Sequence, residues 1–204
     1  MVDVRIEVGN DILNNLWRIA EKEAERTGTS FSFVFDSIGL RLHRPLENYG
    51  YESTPRNSLS FADTGGDGVH YSLVCDGEKV SDLAPVVMTV PMNFGRSNLI
   101  LGSCLHEFLC LGCQIGYFSL EQLTYGWSEA VYWISHPDEF FKAEYPGSSM
   151  EDTNNEEKSL LSMLRRELQL EPWEKPEKRL MQLYEAYFPM LDFSPGMPDC
   201  KPIS

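Results

Sequence analysis

The order of apolar and polar residues divides the chain into a helical start, a strand-rich middle and a helical second half. Apolar residues at helical spacing between Asn10 and Thr27 predict an amphipathic helix, and Gly28 is placed to end it. The aromatic run Phe31–Phe35 predicts a strand. The stretch Leu42–Arg56 contains prolines, an asparagine and a glycine, which predict a long irregular connection.

The middle of the chain predicts a meander of short strands. Apolar and polar residues alternate over Leu59–Ala62 and again over Val69–Val74, whereas Pro85–Val90 and Asn98–Leu101 are apolar runs. The dipeptide Asp76-Gly77 is typical of a hairpin turn, because glycine reaches positive φ at little cost. Since the links between these segments are short, the strands are expected to pair antiparallel.

The second half predicts several helices. Ser103 is placed to cap a helix over Cys104–Leu111, and Ser119 with Gln122 has the spacing of a capping box. The stretch Glu144–Glu157 is rich in acidic and small residues and predicts a mobile linker. Two further amphipathic segments follow it, centred on Leu164 and Leu183.

Together these elements predict an α+β fold with a central antiparallel sheet flanked by helices and with additional C-terminal helices. Residues 1–143 are expected to form the α+β domain. Residues 144–204 are expected to form an acidic linker and a C-terminal helical extension that packs on that domain.

Charge narrows the classes of function. The 204 residues include 17 Lys and Arg against 31 Asp and Glu, a net charge of −14. Because phosphate backbones attract basic surfaces, a general nucleic-acid binder is disfavoured, whereas a basic protein is a natural partner. The start of the chain does not resemble a signal peptide, and no apolar run is long enough for a membrane span. A cytoplasmic protein with reduced cysteines is therefore expected.

One cluster of residues allows a metal-dependent reaction. Asp63, Asp67 and His70 lie within eight residues on a glycine-rich turn, and carboxylate and imidazole groups are common metal ligands. The same residue types are also what a tight turn requires, and a strand starting at Val69 would direct His70 outward. We favour the structural turn, with no metal and no cofactor, and keep a small metal-dependent hydrolase as the alternative.

Two short motifs are weaker evidence for catalytic chemistry. Asp63-Thr64-Gly65 is the aspartic-protease triplet, but that chemistry needs two aspartates sharing a proton and the chain has one triplet. Cys110 and Cys113 form a C-x-x-C motif at the predicted end of a helix, where the helix dipole disfavours a thiolate. Buried structural thiols are the better interpretation.

Three segments taken together resemble the SUKH superfamily, which includes bacterial immunity proteins and a fungal regulator of cell-wall synthesis. They are the glycine-rich segment Phe61–Tyr71, the segment Pro85–Val87, and the segment Leu105–Leu109 with its Glu-Phe-Leu ending. The resemblance covers about a third of the chain. It implies an α+β fold without catalytic residues, and a role in binding another protein, such as a toxin.

The resulting hypothesis is a non-enzymatic protein-binding domain, and the resemblance implies that its partner is a basic toxin that it neutralises. The predicted binding loop consists of Asp63, Thr64, Gly65, Gly66, Asp67, Gly68 and His70. The predicted acidic contact residues are Glu121, Glu129, Asp138 and Glu139. A structural module that self-associates through its C-terminal helices is a third possibility.

Overall fold

The computed structural model describes residues 12–75, 80–144 and 151–194, without the side chains of residues 143–144 and 151–154. The strands are β1 (Arg41–Glu47), β2 (Ser58–Asp63), β3 (His70–Val74), β4 (Val86–Thr89) and β5 (Asn98–Gly102). The α-helices are α1 (Ile12–Thr27), α2 (Leu105–Gly112), α3 (Gln122–Tyr125), α4 (Trp127–Ser135), α5 (Pro137–Glu144), α6 (Glu151–Leu168) and α7 (Pro176–Tyr187). Short 3-10 turns occur at Phe31–Phe33, Asp36–Ile38, Phe118–Glu121 and Phe188–Met190.

The five strands form one antiparallel meander in the order β1-β2-β3-β4-β5. Helices flank this sheet, and α6 and α7 follow it in the chain. The protein therefore has the predicted α+β fold with a central antiparallel sheet and C-terminal helices. The predicted strands after Ser58 are confirmed, and so is the first helix, which ends at Gly28 with φ +74°.

One face of the sheet carries the main apolar core. Tyr71, Met88 and Leu99 are consecutive cross-strand partners, so their side chains lie on the same face, and all three are buried. The ring of Phe108 from α2 packs 4.8 Å from that of Tyr71 and 5.6 Å from that of Phe61. Burial of such rings is the main source of stability for the sheet.

The opposite face of the sheet is half apolar and half polar. Its apolar half consists of Val74, Val87 and Ile100, which pack against Leu183 of α7. Its polar half is covered by the segment 48–57 between β1 and β2. Strands β3, β4 and β5 are consequently buried on both faces.

A partly buried ion pair holds the C-terminal region against α2. The Arg179 guanidinium donates to the Glu107 carboxylate at 2.6 Å, and the indole of Trp173 donates to the Glu107 carbonyl at 3.2 Å. Glu107 also accepts hydrogen bonds from the backbone and side chain of Ser103. Burial opposes ionisation of Glu107, but these hydrogen bonds outweigh it and hold its pKa below the usual range.

Two predictions near the start of the chain are wrong. Phe31–Phe33 is a 3-10 turn rather than a strand, because Val34 and Phe35 are drawn into the core while Phe33 stays about half exposed. The predicted irregular connection contains most of strand β1, which is the first strand of the described sheet and pairs with β2.

Two predictions in the second half also need correction. The expected mobile linker Glu144–Glu157 is helical from Glu151, where α6 begins, and residues 145–150 lie outside the described residues. The helix expected from the capping box at Ser119 is instead a 3-10 turn followed by α3 and α4, divided at Gly126. The predicted turn Asp76-Gly77 lies outside the described residues as well.

No helix in residues 12–75, 80–144 or 151–194 combines the length and apolar character that crossing a membrane requires.

Candidate functional site

The glycine-rich connection between β2 and β3 is a tight loop at one end of the sheet. Asp63 ends β2 and His70 begins β3, and the two residues are cross-strand partners. The Thr64 amide donates to the Val69 carbonyl, and the Val69 amide donates to the Gly66 carbonyl, both at 3.0 Å. These bonds close the loop on itself and fix its shape.

Two of the loop glycines are required by their surroundings. Gly65 and Gly68 have φ values of +82° and +71°, a region that other residues rarely adopt. A Cβ atom on Gly65 would overlap the guanidinium of Arg41, and one on Gly68 would lie 2.6 Å from the Tyr51 hydroxyl. The bend is therefore packed against β1 on one side and against the segment 48–57 on the other.

A row of polar residues crosses the whole sheet beside this loop. Successive cross-strand pairs place Arg41, Asp63, His70, Thr89 and Asn98 next to one another. Because direct cross-strand partners share a face, all five side chains lie on the face opposite the main core. Each buried member must find hydrogen-bond partners there.

Asp63 is held by three donors. Its Oδ2 atom accepts from His43 Nε2 and from the Tyr49 hydroxyl, both at 2.6 Å, and its Oδ1 atom accepts from the Gly65 amide at 2.5 Å. Partial burial raises the pKa of this carboxyl, but the hydrogen bonds to its charged form outweigh burial and lower the pKa overall. Asp63 therefore joins β1, the segment 48–57 and the loop.

His70 is buried and neutral, which corrects the expectation that it points outward. Its Nδ1 lies 2.7 Å from the Gly68 carbonyl, which can only accept, so Nδ1 carries the proton and Nε2 accepts from the Thr54 hydroxyl at 3.1 Å. The Tyr49 ring stacks on the imidazole at 4.5 Å. Burial lowers the pKa of His70 to about 4, although the bond to Gly68 opposes the shift.

The remaining polar residues on this face also satisfy one another. The Thr89 hydroxyl donates to Asn98 Oδ1 at 2.8 Å, and Asn98 Nδ2 donates to the Ser53 carbonyl at 2.9 Å. We call the hydrogen-bonded group formed by His43, Tyr49, Ser53, Thr54, Asp63, His70, Thr89 and Asn98 the polar brace. Bonds from Tyr49, Ser53 and Thr54 join the segment 48–57 to the sheet, so the polar brace holds this segment on the sheet.

The structure does not assemble the three candidate metal ligands. The oxygens of Asp63 and the ring nitrogens of His70 are used within the polar brace. Asp67 lies exposed at the tip of the loop, with φ +49°. Within the part of the chain that the structure describes, no three His, Cys, Asp or Glu side chains are placed to share a metal ion.

Burial keeps the C-x-x-C thiols protonated. Cys110 and Cys113 lie at the C-terminal end of α2, and both are buried. Burial raises the pKa of Cys110 and raises that of Cys113 to about 12. Because the thiolate is the reactive form, neither cysteine is poised for redox chemistry.

An exposed surface with apolar and acidic side chains surrounds the loop tip. The Asn93 side chain, in the turn between β4 and β5, donates to the Thr124 carbonyl of α3 at 2.9 Å, and Gly66 faces the ring of Phe118. Three segments therefore meet here. We call the surface formed by Asp67, Met92, Phe94, Phe118, Glu121 and Tyr125 the loop-end surface.

The apolar members of the loop-end surface are unusually accessible. Phe94 is 78% exposed and Met92 62%, while Tyr125 and Phe118 are each more than half exposed. Aromatic residues and methionine are enriched in protein interfaces relative to the rest of the surface. Four such side chains around one loop are therefore more informative than scattered exposed residues.

Two carboxylates on the loop-end surface repel each other. Partial burial raises the pKa of Glu121, and the nearby charge of Asp67 raises it further. The pKa of Tyr125 is raised by partial burial and by the same two carboxylates. A cationic group placed between Asp67 and Glu121 would relieve this repulsion.

The other predicted acidic residues lie farther along the helices. Glu129 lines a cleft of about 260 Å³, together with Phe118, Trp133 and Phe140. Glu139 accepts a hydrogen bond from the Tyr132 hydroxyl at 2.6 Å, and Asp138 is exposed in the first turn of α5. Of the four predicted acidic residues, the structure thus brings only Glu121 to the predicted loop.

The predicted loop residues themselves have divided roles. Gly65, Gly66 and Asp67 are exposed at the tip, whereas Thr64 and His70 are buried. Sequence reasoning missed His43 and Tyr49, because both fall in the stretch interpreted as irregular. The signal that could have found them is the spacing of Leu42, Arg44 and Leu46 around His43, which is compatible with an edge strand.

Comparison with known proteins found no relative of this chain. No family model, no curated protein and no solved structure matches it.

Proposed function

We propose that this protein is a non-enzymatic binding module that captures a basic partner protein through the loop-end surface. The resemblance of its glycine-rich segment to SUKH proteins suggests the more specific role of an immunity protein that neutralises a toxin in the cytoplasm. The observation that carries the proposal is the grouping of exposed Phe118 and Tyr125 with the carboxylates of Asp67 and Glu121, next to the turn that carries exposed Phe94.

The charge of the chain supports a basic partner. A net charge of −14 attracts cationic proteins over distances up to about 10 Å at moderate salt and accelerates their encounter. Aromatic side chains then provide the contact area, since electrostatic complementarity contributes more to on-rate and specificity than to affinity. The loop-end surface provides both kinds of group in one place.

The polar brace supports the same proposal because it holds the loop beside the loop-end surface in a fixed conformation. A binding surface costs less to order when its supporting loops are rigid before the partner arrives. Gly65 and Gly68 pack the loop against Arg41 and Tyr51, and Asp63 bonds to its first turn. We therefore expect the loop-end surface to bind without large rearrangement.

A capture experiment with matched variants tests the proposal. The immobilised full chain is incubated with lysate of its source cells, and bound proteins are quantified by mass spectrometry at about 50 and 300 mM salt. We expect the wild type to capture a basic protein. The amount captured should fall at least about tenfold in the double variant Phe94→Ser with Tyr125→Ser, because aromatic residues are common hot spots in interfaces. Higher salt should weaken its capture.

The control variant is Met181→Ser, which removes an exposed apolar side chain from α7, away from the loop. It should capture the same basic protein as the wild type. Equal capture by the wild type and the Phe94 and Tyr125 variant would contradict the assignment of this surface. Recovery of only acidic partners would contradict the electrostatic part of the proposal.

A further inference from the structure

A second surface, which shares no residue with the loop-end surface, carries a net positive charge although the whole chain is acidic. A groove of about 430 Å³ runs between α1 and α6. Its charged lining consists of Arg18, Lys22, Arg26, Arg166, Glu23 and Glu167. Four cations against two carboxylates leave the groove with a formal charge of +2 (4 − 2), whereas the whole chain carries −14.

Three of the cations form a single stripe. Arg18, Lys22 and Arg26 are spaced four residues apart on α1, which places them on one face about 6 Å from each other along the helix axis. Like charges at this spacing destabilise a helix by a few tenths of a kcal/mol per pair. An anion bound along this stripe would reduce the repulsion between the cations and stabilise the helix.

The two carboxylates in the groove neutralise Arg26 and Arg166 and leave Arg18 and Lys22 of the stripe without an ion pair among the described residues. Glu23 pairs with Arg26, and Glu167 pairs with Arg166 across 2.9 Å. The guanidinium of Arg18 donates only a long hydrogen bond, 3.3 Å, to Asn15 among the described residues. Lys22 is exposed and lies within ion-pair distance of no carboxylate in the described part of the chain.

Two of the uncharged lining residues are serines, which suit an anion with several acceptor oxygens, and the other three, Ile19, Leu160 and Met163, are apolar. Ser159 and Ser162 of α6 line the groove on the side opposite the stripe, and Arg166 lies one to two turns beyond them. Arginine and hydroxyl donors match the tetrahedral oxygens of phosphate. The volume is within the range of sites for small molecules.

We infer that the groove between α1 and α6 binds a molecule with a linear chain of phosphate groups, which lies along Arg18 and Lys22 and is contacted from α6 by Ser159, Ser162 and Arg166. The acidic remainder of the protein repels such a molecule, so binding is confined to this groove. The inference does not depend on the proposed partner protein, because the two surfaces share no residue.

Titration with sodium tripolyphosphate tests this inference. The full chain is labelled with ¹⁵N and titrated at constant ionic strength, and amide shifts are followed. We expect saturable shifts in residues 18–26 and 159–166. The double variant Arg18→Gln with Lys22→Gln should weaken binding at least about tenfold, since it removes both cations that lack a carboxylate partner.

The matched control is Lys142→Gln with Lys178→Gln, which also removes two exposed cations from helices but lies outside the groove. It should bind tripolyphosphate like the wild type. Linear, unsaturable shifts, or equal weakening in both double variants, would overturn the inference. Tighter binding of a penta-glutamate peptide than of tripolyphosphate would overturn the assignment to phosphate.

Discussion

Replacing Asp63 with alanine is expected to lower the free energy of unfolding by about 3 kcal/mol. The substitution removes the acceptor of three hydrogen bonds, from His43, Tyr49 and the Gly65 amide. Hydrogen bonds to a charged group contribute roughly 1.5–3 kcal/mol each, but Asp63 is partly exposed, so solvent reduces their sum. Urea unfolding at neutral pH, followed by circular dichroism, measures the loss.

The neighbouring carboxylate provides the control for this substitution. Asp67→Asn removes the same charge four residues away, from an exposed position at the loop tip. We expect it to change the free energy of unfolding by no more than about 0.5 kcal/mol. If Asp63→Ala were as mild as Asp67→Asn, the polar brace would not be a structural element.

Acidification is expected to destabilise the protein through His70. The folded chain holds this imidazole neutral with a pKa of about 4, whereas the unfolded chain protonates it near pH 6.5. The unfolded state therefore binds more protons between these pH values, and stability falls as pH falls through that window. The full difference is about 3 kcal/mol, of which about 2 kcal/mol is lost by about pH 5.

The variant His70→Gln isolates this contribution. Glutamine cannot titrate, so its free energy of unfolding should change between about pH 7.5 and pH 5 by about 2 kcal/mol less than that of the wild type. Asp63 and Glu107 have lowered pKa values, so their stabilisation is lost only at more acidic pH, and both proteins retain these groups. Identical pH profiles for the two proteins would show that His70 is not buried in its neutral form.

The local pattern of apolar and polar residues was sufficient to predict most strands of the sheet. Strands β2 to β5 were predicted from alternation and short apolar runs, because most of the apolar residues in these strands are buried. Strand β1 was missed because it lies at an edge, where His43, Arg44 and Pro45 are tolerated on a partly exposed strand. The aromatic run at Phe31 was misinterpreted because periodicity cannot distinguish a short apolar strand from a turn.

The candidate site was less accessible to sequence reasoning. The bend was predicted correctly as a glycine-rich turn, since Gly65 and Gly68 both adopt positive φ. The burial of His70 depends on the segment 48–57, which is distant in sequence and folds over the second face of the sheet. The alternation of residues along β3 gives no information about a segment that packs over the strand, so His70 was expected to point into the solvent.

The central claim is that the glycine-rich bend supports a display surface and does not hold a reactive metal. The most direct measurement is isothermal titration of Zn²⁺ and Mn²⁺ into the full chain, wild type and Asp67→Ala, with the cysteines blocked so that thiols do not compete. We expect no stoichiometric binding that depends on Asp67, because Asp63 and His70 are engaged in the polar brace. One metal ion per chain, lost in Asp67→Ala, would contradict the account.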